Sequence, residues 1–102
     1  MALPTRTKLT TVDATAVYTV PVTKRAAFTV NISALLACKV KAAITSGAAP
    51  ADADWFEPGQ TLAAGAVLER TMILLPADHK VFVQTDTVNS VAVQVWGIEE
   101  PV

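Results

Sequence analysis

Four runs of this chain alternate apolar and polar residues with a period of two, and that pattern restricts the fold more than any other feature. In "RAAFTVNI", residues 25–32, Ala26, Phe28, Val30 and Ile32 share one face while Arg25, Thr29 and Asn31 share the other. "CKVKAAIT", residues 38–45, sets Cys38, Val40, Ala42 and Ile44 inside and Lys39, Lys41 and Thr45 outside. "KVFVQTD", residues 80–86, sets Val81, Val83 and Thr85 against Phe82 and Gln84. "SVAVQVWGI", residues 90–98, sets Val91, Val93 and Val95 against Ala92, Gln94 and Trp96. Successive side chains of a strand point to opposite faces, so this period belongs to β-strands and not to a helix. Both faces of the last run are apolar, which predicts a central strand covered on both sides.

The remaining segments read the same way. "AVYTV" and "TKLTTV" are shorter strands expected near an edge. In "GAVLERTMILL", Leu68, Met72 and Leu75 fit helical spacing, but Thr71 and Ile73 are β-branched and the segment lies between Gly65 and Pro76, so a strand is expected. Pro21, Pro58-Gly59, Pro76 and "TVNS" supply the turns, and "SGAAPADAD", residues 46–54, is the one long irregular stretch. "TVPVTKRAAFTV" and "LLPADHKVFVQT" each give strand, proline, turn, lysine and strand, one hairpin solution used twice. The expectation is an all-β chain: an antiparallel β-sandwich of about seven or eight short strands, with a small β-barrel as the alternative. Its 102 residues suit one domain over residues 9–102, preceded by an extended arm, residues 1–8, in which Pro4 opposes helix.

Composition narrows function mainly by exclusion. The net charge of −1 gives no electrostatic case for nucleic acid or an anionic membrane, and aromatic residues, at 6%, do not alternate with the lysines. One cysteine, Cys38, permits no internal disulfide and no cysteine-pair metal motif. The first residues, "MALPTRTKLTTVDATAV", hold no apolar run of signal-peptide type, so synthesis and assembly in a cytoplasm is expected. Charged residues are only 17% and apolar residues 52%, which suggests that a partner covers part of the surface.

No catalytic constellation is visible. His79 stands beside Asp78 and Lys80 in a turn, where sequence neighbours diverge, and no nucleophile-elbow motif accompanies it. Cys38 lies on an apolar strand face, where a thiol behaves as a small hydrophobe. Asp52, Asp54 and Glu57 lack the further oxygen ligands and the glycine of a calcium loop. No enzyme activity, cofactor or metal is therefore expected. Trp55 and Phe56 are adjacent, so one can enter the core while the other anchors a partner. The expected partner-binding residues are Leu3 and Pro4 of the arm together with Asp54, Trp55, Phe56, Glu57 and Pro58.

The order of short motifs resembles that of small β-rich virion structural proteins of tailed bacteriophages. The motifs are "YTVP" (18–21), "FTVNIS" (28–33), "ADWFE" (53–57), "GAVLERT" (65–71), "KVFVQTD" (80–86) and "VAVQVWGIEE" (91–100). The resemblance implies a structural component of the particle. The first expectation is a capsid decoration (cement) protein at the capsid surface, bound to the major capsid protein lattice as a trimer or dimer. The alternative is a tail, neck or fibre component acting as adaptor or as a receptor- or glycan-binding module. It brings no catalytic residues.

Overall fold

The computed structural model describes residues 3–46 and 48–101. Eight strands follow one another: β1 (Thr5–Lys8), β2 (Thr15–Thr19), β3 (Lys24–Ala34), β4 (Cys38–Thr45), β5 (Trp55–Leu62), β6 (Val67–Leu75), β7 (Lys80–Thr85) and β8 (Val91–Pro101). They form two four-stranded antiparallel sheets, sheet A in the order β1-β8-β3-β6 and sheet B in the order β2-β7-β4-β5. Every connection except β4–β5 passes from one sheet to the other, which is the strand order of a jelly roll. The expected β-sandwich is the fold. The sheets do not close on each other, so the barrel alternative does not apply.

Alternation explains the core. Ala26, Phe28, Val30, Ile32 and Ala34 of β3 face inward with Val91, Val93 and Val95 of β8, against Val40, Ala42, Val81 and Val83 of sheet B. Tyr18 closes this layer, fully buried, with its ring edge-on to Phe28 at a centroid separation of 5.2 Å. β4 keeps an unbroken register with β7, the extra residues of the shifted β4–β5 ladder falling in β5, so its alternation persists, yet Ala43 on the outer face is buried as fully as Ala42 on the inner. Thr45, expected outside, lies on that outer face but is buried there, and Ile44 is half-buried against the core as expected. The segment 67–75 is a strand throughout; its apparent helical spacing arises from a bulge that shifts the β3–β6 register between Phe28 and Val30, where Met72 takes a φ of 58°.

Two expectations need correction. β8 is central in sheet A, between β1 and β3, but the chain covers only its inner face; Trp96 and Ile98 on the outer face are 40% and 60% exposed. The expected arm is also mostly strand: Thr5–Lys8 pairs with β8 from Thr5↔Val95 to Lys8↔Ala92. The physical reason is the open edge of β8, whose backbone groups would otherwise lack partners on that side. Met1 and Ala2 lie outside the described residues.

At Gly97 the backbone of β8 presses on β3. A Cβ there would stand 2.1 Å from the Ala27 carbonyl oxygen and 2.8 Å from the Phe28 Cβ, so only glycine permits the approach. Gly97→Ala should destabilise the protein by about 2 kcal/mol or more, by overpacking against backbone that cannot yield. Chemical denaturation followed by tryptophan fluorescence checks this.

Candidate functional surfaces

The residues expected to bind a partner do not form one surface. Leu3 is half-buried against the core and Pro4 is exposed, both beside β1. β1 stacks on β2, where the Thr5 hydroxyl donates to the Val17 carbonyl at 3.1 Å, whereas β5 lies on the far edge of sheet B. Asp54 accepts a hydrogen bond from the Ala51 N–H at 2.8 Å and so closes a short 3-10 turn, Asp52–Asp54, that leads into β5. Trp55 lies half-buried beside Ala43, with the Lys41 ammonium 4.2 Å from its ring centroid. Phe56 packs on the core. Glu57 is buried and accepts a charge-assisted bond from the Arg70 guanidinium, which ties β5 of sheet B to β6 of sheet A. Pro58 is exposed at a register shift of the β4–β5 ladder. Residues 54–57 therefore serve chiefly the sandwich itself.

A second polar bridge joins the sheets along the other side. The Tyr18 hydroxyl, on β2, donates to Glu99 Oε2, on β8, at 2.5 Å. Burial first, and the adjoining Glu99 carboxylate second, push the phenol well above its ordinary pKa of about 10.

The remaining chemical candidates stay dispersed. His79 Nδ1 is 3.1 Å from the Ala77 carbonyl within its own turn, and Cys38 is a buried free thiol. Among the described residues no group of three or more histidine, cysteine or acidic side chains is placed to hold a metal ion. On sheet B a polar hollow of about 360 Å³ is lined by Val12, Lys39, Lys41, Gln84, Thr85 and Asp86. Its acid is engaged: the Lys39 N–H donates to Asp86 Oδ1 at 2.9 Å and, with the Thr87 hydroxyl, holds that carboxyl below its ordinary range.

Two apolar surfaces stand out instead. The first is one end of the sandwich, made by the β1–β2, β3–β4, β5–β6 and β7–β8 loops. These are knitted by backbone bonds: the Leu35 and Leu36 N–H groups donate to the Ser90 carbonyl, Asn89 N–H to Leu9, Gly65 N–H to Ala34 and Ala34 N–H to Ala66. Buried beneath them, Thr85 Oγ1 and Ser90 Oγ lie 2.7 Å apart. Above this frame Val12, Leu35, Leu36 and Val88 are each 45–50% exposed. Among loop residues 9–14, 35–37, 63–66 and 86–90 the only charged ones are Asp13 and Asp86. The opposite end carries Asp52, Asp54 and Asp78.

The second surface is the outer face of sheet A. Toward the loop end it is mixed, with Lys8, Gln94, Asn31 and Glu69 beside the exposed Val67. Beyond Trp96 it becomes apolar, with a groove of about 470 Å³ floored by Ala27, walled by Leu74 and Ile98 and bounded by Arg25 and Glu100. Sequence reading missed both surfaces, although "SALLACK" and "VWGI" carried the signal: apolar residues where a turn or an outer face should be polar. No family model, no curated protein and no solved structure matches this chain.

Two measurements test these local assignments. A phenol whose pKa is raised on folding contributes stability that is whole below its unfolded value, about pH 10, and is lost as pH rises toward the folded value. The stability gap between wild type and Tyr18→Phe should hold constant from pH 7 to 9 and shrink above pH 10 by up to about 1.4 kcal/mol per pH unit, in urea titrations across that range. A double-mutant cycle of Lys41→Met and Trp55→Ala should return a coupling of about 0.5–1 kcal/mol, the cation–π share of their contact.

Proposed function

We propose that this chain is a structural protein of a tailed-phage virion, a capsid decoration (cement) protein that binds the major capsid protein lattice at the particle surface and strengthens it. The observation that carries this reading is the loop end, a rigid apolar tip on a sandwich with no assembled catalytic group among its described residues. Docking onto a preformed shell favours a surface ordered in advance, because little conformational entropy is then lost on contact. The backbone bonds among the four loops supply that order. Val12, Leu35, Leu36 and Val88 supply apolar area worth about 25 cal/mol per Å² buried. The motif order from Tyr18 to Glu100 adds the resemblance to virion proteins. The jelly-roll order adds a fold-level analogy, since viral capsid and lectin domains use it.

The docking surface of this reading lies at the end opposite the 46–54 segment. This reading takes the loop-end side chains as anchors in place of Trp55, Phe56 and Glu57, because Phe56 packs on the core and Glu57 is paired with Arg70. The test uses virions assembled from the genome that encodes this chain, in a form lacking it. Purified protein is added back, and binding is read by co-sedimentation and by cryo-electron microscopy. Wild type should bind in hundreds of copies over the shell. The double variant Leu35→Asp, Leu36→Asp should bind at least tenfold more weakly with a melting temperature close to wild type, since both side chains are already half exposed. Density confined to tail, neck or fibres would overturn the cement reading in favour of an adaptor or receptor-binding role. Unchanged binding by the variant would remove the loop end from the interface.

A further inference from the structure

The outer face of sheet A can be laid out row by row from its register. One row across the sheet is Arg6 (β1), Gln94 (β8), Asn31 (β3) and Glu69 (β6). The next pairs Trp96 with Thr29, and the one after pairs Ile98 with Ala27 and Leu74. The last pairs Glu100 with Arg25, joined at 3.2 Å. Reading each row from the β1 side to the β6 side, the large residues Trp96 and Ile98 come before the small residues Thr29 and Ala27. In the first row a cation comes before an anion across the sheet. In the last row an anion comes before a cation.

We infer that this face is a dimer interface, and that its occupant is a second copy of this chain, related by a two-fold axis that runs along the strands between β8 and β3. Such an axis exchanges β8 with β3 and β1 with β6. Trp96 and Ile98 of one copy then face Thr29 and Ala27 of the other, so bulk enters hollow in both directions. Glu100 faces the second copy's Arg25, and Arg6 faces the second copy's Glu69. These four pairings are complementary under the one operation, as an isologous interface requires, while the row nearest the loops (Lys8, Ala92, Ser33 and Val67) and Leu74 on the β6 edge lie at its margins without such a match. Sheets stack with their strands within about 30° of each other, which keeps these rows opposed near the axis. With strands about 4.8 Å apart and a rise of about 3.3 Å per residue, the eleven residues of β3 and of β8, nine of β6 and four of β1 give a projected face of roughly 550 Å², about two-thirds of the ~800 Å² per partner of stable complexes and fit for a weak, concentration-dependent dimer. The apolar half supplies burial, and the four ionic contacts at the margins set the direction.

This interface is separate from the loop end, so its test stands apart from particle binding. Arg6 and Glu69 lie on opposite edge strands, with β8 and β3 between them, and make no contact within one copy. Sedimentation equilibrium of wild type at moderate salt should give a dimer. Arg6→Glu alone and Glu69→Arg alone each place like charges opposite one another and should raise the dimer Kd at least tenfold. An equimolar mixture of the two single variants should recover the wild-type Kd as a heterodimer, because both ionic contacts are then restored. A wild type that stays monomeric at several hundred micromolar overturns the proposal. So does a dimer that the single variants leave intact, or one that mixing does not restore. Circular dichroism of each variant confirms that loss of the dimer is not loss of fold.

Discussion

The ladder between β3 and β8 governs the rest of the molecule. It pairs eleven residues of each strand without a register shift, from Lys24↔Pro101 to Ala34↔Val91. A slip of β3 by one residue against β8 would turn Ala26, Phe28, Val30 and Ile32 outward while Val93 and Val95 stayed inward, so the buried face fixes the register. Gly97 against Phe28 fixes it again by shape, since side chains at neighbouring positions do not fit that approach. Once the ladder is set, the outer-face pairs of β3 and β8 are set with it, and so is the inward position of Glu99, the acceptor of the Tyr18 hydroxyl.

Connectivity then divides the molecule into unlike ends. The loops that follow odd-numbered strands gather at one end, and those that follow even-numbered strands gather at the other. The first set is short, knitted by backbone hydrogen bonds and nearly free of charge. The second holds residues 48–54 and most of the loop acids. Along the sides, carboxylates join the layers, Glu99 to Tyr18 and Glu57 to Arg70. Such bridges suit positions near a sandwich edge, where apolar packing is thinnest and a charge keeps some contact with water.

Period-two alternation made the strands legible, including 67–75, because it follows from the geometry of a single strand. The partner of each strand was not legible, since pairing depends on connections that alternation does not record. That is why Thr5–Lys8 read as an arm: four residues carry too little pattern to reveal that β8 has an open edge. It is also why β8 read as covered on both sides. Its outer residues are apolar, and alternation does not record whether the same chain lies over them; here it leaves Trp96 and Ile98 exposed. Residues 54–58 attracted attention for their chemistry, and the structure uses Asp54 as a turn cap and Glu57 as an inter-sheet tie. Leu35 and Leu36 were overlooked because two leucines in a tight turn carry no motif.

The place of β8 has a consequence for how the protein comes into being. It is the last of the eight strands to be synthesised, yet it occupies the interior of sheet A, between β1 and β3. Until it emerges, β1 has no neighbour in its sheet and the inner faces of β3 and β7 lack Val91, Val93 and Val95. Folding on the ribosome can prepare sheet B but cannot complete sheet A before β8 emerges, so until then the nascent chain carries open strand edges. β8 acts as a keystone: the sandwich cannot close before it emerges, and a chain cut short before β8 loses both sheet A's interior and half of the face proposed for pairing.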